Sequence, residues 1–234
     1  MLMHRRSQER GEAIHGWLHS FHTFSFAGYY DQAFMGVSDL RVINEDRIAG
    51  GSGFGEHPHR DMEIISYVVS GALKHRDSMG NETVIRPGEV QVMSAGTGVV
   101  HSEMNFFPDQ ETHFFQIWII PGKAGLKPGY GQRSFEQELQ TQKLTHVISP
   151  DGLENSISIN QDANVYILRL EANEIYRYPC TENRCYWIQL IHGKVEMNNL
   201  VLHPGDGVFS SHNPFLDFKA TEPSELMLFD LREK

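Results

Sequence analysis

Short runs of β-branched and aromatic residues, cut roughly every eight to twelve positions by glycine or proline, dominate this chain and limit what it can fold into. Ile64 to Val69 stops at Gly71, Val84 to Arg86 stops at Pro87-Gly88, and Val90 to Met93 and Val99 to Met104 follow at similar spacing. The longest apolar run, Phe114 to Ile120, is interrupted by Gln116 and has the length of a strand, not of a membrane span. Helical periodicity is nearly absent. The expectation is therefore an all-β sandwich or barrel. With 234 residues, one large β domain or two of about half that size would each bury a core.

Other stretches extend the pattern. Trp17 to Phe26 alternates aromatic and small polar residues, which predicts a strand, and Leu40 to Asn44 predicts another that ends at Asn44-Glu45-Asp46. Asp77-Ser78-Met79-Gly80-Asn81 reads as a hairpin turn, with His75 a solvated strand residue just before it. Residues 1–15 are polar and are expected to form a loosely attached arm. Pro and Gly crowd residues 121–129 as a linker, and 134–143 could form one short helix or an exposed crossing segment. A second β series starts at Leu144 and runs to Asp230.

Chemistry concentrates at Gly55-Glu56-His57-Pro58-His59-Arg60-Asp61-Met62-Glu63 and at Gly96-Thr97-Gly98-Val99-Val100-His101-Ser102-Glu103. In a strand, side chains two apart leave the same face, so His57 pairs with His59 and His101 with Glu103. If the two strands are neighbours, three imidazoles and a carboxylate converge as metal ligands. That donor set suits iron(II), manganese or nickel at least as well as zinc, and leaves one or two coordination positions open, which favours catalysis over a structural role. Glu63 shares the parity of His59 but would lie about 13 Å further along a continuous strand. His15, His19 and His22 do not share parity and read as structural. The glycines of Ala49 to Gly55 lack the Lys-Ser/Thr of a phosphate loop and read as backbone allowed close to the metal, with Phe54 as a pocket wall.

These motifs, with His-Gly-Trp-Leu at 15–18, His-Thr-Phe-Ser-Phe at 22–26, Leu-Arg-Val-Ile-Asn-Glu-Asp at 40–46 and Ala-Gly-Thr-Gly-Val-Val-His-Ser-Glu at 95–103, resemble the pirins, two-domain members of the cupin superfamily. The resemblance is dense over residues 10 to 125 and looser beyond. It implies two tandem cupin domains built as double-stranded β-helices, a metal-binding one over 1–133 and a degenerate one over 134–234. Within the bacterial pirins the chain looks most like those described as quercetin 2,3-dioxygenases. Matched position by position, the resemblance implies that His57, His59, His101 and Glu103 bind the metal and that Glu63 does not. The histidines at 146, 192, 203 and 212 stand singly, so the second half is expected to hold no metal.

The function that the resemblance implies is cleavage of a flavonol-type substrate by dioxygen at a divalent metal, Fe(II) first, with Ni, Mn, Co, Cu or Zn as alternatives. Glu103 is the candidate base for the substrate hydroxyl, and Phe24, Phe26, Phe54, Tyr67 and Met104 are candidate walls. Pirin relatives are also described as iron-dependent redox sensors that bind transcription factors, so a partner-binding regulator without turnover is one alternative; a non-oxygenase metal cupin enzyme, such as an isomerase, is another. A formal net charge of −10 argues against direct binding of nucleic acid. The charged amino terminus lacks the apolar core of a secretory signal, which points to the cytoplasm, where Cys180 and Cys185 are expected as free thiols.

Overall fold

The computed structural model describes residues 1–234. Strands β1 (Leu2–Arg5), β2 (Gly11–Ile14), β3 (Leu18–His22), β4 (Leu40–Ile48), β5 (Gly53–His59), β6 (Glu63–Ser70), β7 (Leu73–Asp77), β8 (Glu82–Ile85), β9 (Glu89–Ser94), β10 (Val99–Asn105), β11 (Thr112–Ile119) and β12 (Gly129–Ser134) precede one α-helix, α1 (Glu136–Thr141). Strands β13 (Leu144–Ser149), β14 (Ile157–Ser158), β15 (Ala163–Leu170), β16 (Ile175–Pro179), β17 (Arg184–His192), β18 (Val195–Met197), β19 (Leu200–Leu202), β20 (Gly207–Ser211), β21 (Phe215–Ala220) and β22 (Ser224–Arg232) follow it. The chain is all-β, and no helix is long and apolar enough to cross a membrane.

The chain forms two compact units that do not follow a single cut. One comprises Gly11–Glu136 and Ile157–Gln161; the other comprises Met1–Arg10, Gln137–Ser156 and Asp162–Lys234. In the first unit a seven-stranded antiparallel sheet, ordered β12-β9-β6-β11-β4-β3-β2, faces a four-stranded sheet ordered β5-β10-β7-β8. Period-two burial aims the side chains: Val99, His101, Glu103 and Asn105 of β10 point inward while Val100 is exposed, and Leu73, His75 and Asp77 of β7 point inward while Lys74 and Arg76 face out. Leu18, Ile48, Val68, Leu73, Ile85 and Phe114 close one core cluster between the sheets.

A row of polar side chains crosses that apolar interior. Register sets His22 opposite Asn44, Asn44 opposite Gln116, Gln116 opposite Ser66 and Ser66 opposite Gln91, so one level of five adjacent strands carries no apolar residue. Each is a polar group at a buried position, which is costly unless hydrogen bonds answer it. The row is the floor on which the candidate site rests.

The second unit has the same two-sheet plan, with strands ordered β1-β20-β17-β22-β15-β13 in one sheet and β16-β21-β18-β19 in the other. Leu168, Ile188, Leu190, Phe218, Leu226 and Leu228 lie at its core. Here the expectation of a loose arm over residues 1–15 fails. Leu2–Arg5 pairs with Gly207–Ser211 as an edge strand, and Gly11–Ile14 pairs with β3 in the other unit. The tie is the Asp206 carboxylate, which accepts the Ser7 amide at 2.7 Å and the His203 amide at 3.0 Å, and meets His4 Nε2 at 3.0 Å.

Asp206 is buried, so its loss leaves amides without acceptors. Asp206→Ala is expected to lower stability by about 1–3 kcal/mol, read as a reduced urea midpoint with release of the amino-terminal strand to hydrogen exchange. An unchanged midpoint would show that the strand is held by its backbone ladder alone.

Candidate metal centre

Strands β5 and β10 run antiparallel with His57 opposite His101 and His59 opposite Val99. Cross-strand partners share a face, so the three imidazoles meet as the parity argument requires. Ring centroids lie 4.8 Å apart for His57 and His59, 4.5 Å for His57 and His101, and 4.9 Å for His59 and His101. One ring nitrogen from each falls within 4.8 Å of the others.

The register then slips: beyond His101 and His57, Glu103 faces Phe54. This extra residue in β5 is a β-bulge, and it changes side-chain parity, so Phe54 points inward on the same side as His57. Phe54 packs edge-on against Trp17 with centroids 5.2 Å apart. Two of the glycines beside it admit close backbone packing: a Cβ on Gly53, whose φ is +156°, would sit 2.4 Å from the Glu103 carbonyl oxygen, and one on Gly50 would meet the 108–109 backbone at 2.5 Å. Nothing packs against Gly55.

The imidazoles are prepared as lone-pair donors. His57 Nδ1 donates to the Gly55 carbonyl at 2.7 Å, which turns its Nε2 toward His101 Nε2, 3.1 Å away. His59 Nε2 is buried without a hydrogen-bond partner. Burial, followed by the nearby His57, lowers the pKa of His59 to about 4 and that of His101 to about 3. An unpartnered His59 Nε2 and two Nε2 atoms that meet only each other, with His59 and His101 neutral at pH 7, fit a divalent ion better than they fit a hydrogen-bonded core.

Glu103 is fully buried. Ser66 Oγ donates to its Oε1 at 3.1 Å, Gln116 Nε2 donates to its Oε2, and the Trp118 indole donates to Gln116 Oε1 at 3.3 Å. Burial raises its pKa against the opposing pull of His75 and these donors. Its oxygens cluster with His75 and His101 within 4.8 Å, as a second donor group sharing His101 with the first. Glu63 is engaged elsewhere: Ser94 Oγ donates to it at 2.6 Å and Asn160 Nδ2 at 3.0 Å.

His75 is not solvated. It is completely buried, its Nε2 bonds Asp77 Oδ2 at 3.0 Å, its Nδ1 has no partner, and its ring lies 5.3 Å from that of His101 and 5.0 Å from that of Tyr130. Asp77, which burial alone would raise, is held low by hydrogen bonds from His75, Asn81 and Met79. Equal parity with buried Leu73 was the available signal for His75.

A cavity of about 800 Å³ opens onto these groups. His57, His59 and Glu103 line it, as do Trp17, Phe26, Tyr29, Phe54 and Trp118. Trp118 stands edge-on to His59 at 4.9 Å and to Phe26 at 5.3 Å. Of the expected aromatic walls, Phe26 and Phe54 hold that place, while Phe24 and Tyr67 are buried core. His15 and His22 also line the cavity, and His19 instead meets Glu12 at 2.8 Å. Ser66, Gln116 and Trp118 went unrecognised in the sequence, although a lone polar residue inside an apolar strand marks the first two.

The Pirin family pattern matches residues 3–119, and that of the quercetinase C-terminal cupin domain matches residues 146–231. The chain belongs to the pirin family. It is 45% identical to the quercetin 2,3-dioxygenase of Escherichia coli K12, covering 99% of both chains, and 39% identical to a pirin-like protein of Caulobacter vibrioides, covering 98% of this chain and 99% of that one. The crystal structure of the E. coli bacterial pirin YhhW in complex with nickel(II) superposes with a TM-score of 0.95 at 44% identity, covering 100% of each. Both halves of this pirin are thus cupin domains.

Titration of the metal-free protein by NMR should place the imidazole midpoints of His59 and His101 near pH 4 and 3. Because both values are depressed, the neutral, ligating form persists as pH falls from 7 and is lost only below those midpoints. Midpoints near 6.5 would mean that water, not protein, surrounds the two rings.

Proposed function

We propose that this pirin is a metal-dependent dioxygenase that cleaves flavonol-type aromatic substrates, with His57, His59, His101 and Glu103 as the metal ligands. The observation that carries the reading is the convergence of three imidazoles, two of which, His57 and His59, line an aromatic-walled cavity of about 800 Å³, a volume typical of small-molecule sites. The name of the E. coli relative, quercetin 2,3-dioxygenase, supports a flavonol substrate with dioxygen as co-substrate. Fe(II) is the first choice of metal, and the nickel complex of the E. coli relative agrees with a divalent ion in general.

A divalent ion held here supplies positive charge for an acidic hydroxyl and an electronic route to dioxygen. The chain does the rest. Trp118, Phe26 and Phe54 offer edges and faces against which a flat ring system is oriented. Ser66 and Gln116 hold the Glu103 carboxyl in one orientation, and burial raises its proton affinity. Glu103 is therefore the group that takes the hydroxyl proton as the substrate enters, which requires it to loosen from the metal as it is protonated. The substrate oxyanion would replace it as the anionic ligand beside His57, His59 and His101.

Protein loaded with Fe(II) and mixed with quercetin in air should lose the flavonol absorbance and take up dioxygen. No uptake across several divalent metals would overturn the reading in favour of a partner-binding regulator. His101→Ala should remove most bound metal by elemental analysis and reduce turnover to background. Glu103→Gln keeps shape but exchanges one acceptor oxygen for an NH2 group and loses the base, so turnover should fall by roughly a hundredfold with a smaller loss of metal. Full activity in Glu103→Gln would exclude it as the base. His146→Ala and His212→Ala should leave metal content unchanged; a halved content would place a second ion in the other unit.

A further inference from the structure

The cavity has a second polar feature that the metal reading does not use. Asp46, on β4 of the seven-stranded sheet, lines it at only 2% exposure. The Ser20 hydroxyl, directly opposite on β3, hydrogen-bonds the Asp46 carboxyl and lines the same cavity. The other oxygen, Oδ1, is buried with no partner. On the far side the register sets Phe114 against Asp46, which offers no donor. The neighbouring Glu45 carboxylate meets His113 at 3.0 Å, and no Lys or Arg lines this cavity. A buried carboxyl oxygen left open beside a cavity calls for a ligand group to complete it.

We propose that Asp46 and Ser20 form a second anchor of the cavity, on the sheet facing the histidines, which receives a ring hydroxyl of a polyhydroxylated planar aromatic ligand. The anchor rests on the flavonol reading and refines it: the preferred substrates carry ring hydroxyls beyond the one that meets the metal. Burial, with smaller effects from Glu103 and Glu45, pushes the Asp46 carboxyl up to about 7 against the Ser20 hydrogen bond. Near neutral pH it can therefore either accept from or donate to a phenolic oxygen, whereas a free cationic group would be needed to recognise a ligand carboxylate or phosphate. Tyr29, Phe26 and Trp118 line the same cavity as the two anchors, consistent with a rigid aromatic ligand in place of a flexible chain.

The test compares quercetin with 3-hydroxyflavone, which keeps the ketone and adjacent hydroxyl but lacks the other ring hydroxyls. Dissociation constants are measured without dioxygen, by quenching of tryptophan fluorescence, on metal-loaded wild-type protein, Asp46→Asn, Asp46→Ala and Ser20→Ala. Wild type should bind quercetin at least about tenfold more tightly than 3-hydroxyflavone. Asp46→Ala should abolish most of that preference and Asp46→Asn and Ser20→Ala should reduce it, with metal content unchanged by elemental analysis. Equal binding of both flavonols by wild type, or an undiminished preference in the Asp46 variants, would overturn the anchor while leaving the flavonol reading intact. If an Asp46 variant does not fold, Ser20→Ala decides: a retained preference refutes the anchor and a reduced one supports it. Failure of wild type to bind either flavonol would overturn both proposals together.

Discussion

The pairing of β5 with β10, and the slip within it, is the constraint on which the rest of the site depends. Direct opposition of His57 and His101 brings their nitrogens to 3.1 Å. The bulge that follows turns Phe54 toward them and away from solvent. Had the strands stayed in uniform register, Gly55 would face Glu103 and the cavity would lose one aromatic wall. The tight contact of Gly53 against the β10 backbone is the steric condition for that slip.

The two sheets of this unit divide the chemistry. The four-stranded sheet carries the histidines and Glu103; the seven-stranded sheet carries the hydroxyls, amides and Asp46 that answer them. Desolvation acts on both and in opposite directions, lowering the imidazoles and raising the carboxyls. Both shifts favour uncharged groups, as a dry interior demands. A divalent cation reverses that preference for a carboxylate beside it while leaving neutral imidazoles as good donors.

Much of this was legible from the residues. Strand parity brought His57, His59 and His101 together, while Glu103 joins His101 and His75 in a second group; the turn pattern gave an all-β chain, and the resemblance to pirins added the tandem cupin plan. What escaped was set by pairing between distant strands. His75 sits between Lys74 and Arg76 beside a turn, so its local surroundings resemble a solvent-facing strand, yet it shares parity with Leu73 and lies against His101. The polar row through Asn44, Gln116 and Ser66 becomes a row only when β4, β11 and β6 are aligned. Phe54 could be named as a wall, but its even number beside odd-numbered histidines needed a bulge that no local residue pattern reveals.

The strand at residues 2–5 has a consequence for biosynthesis. Its partner, Gly207–Ser211, is made some two hundred residues later, so the sheet it edges cannot close while most of the polypeptide is still being translated. The unit bearing the three histidines needs only residues 11–161, and so can complete its sheets first. Until its partner emerges, the leading segment must remain an unpaired ribbon, which makes it the portion of the nascent chain most open to capture by other strands.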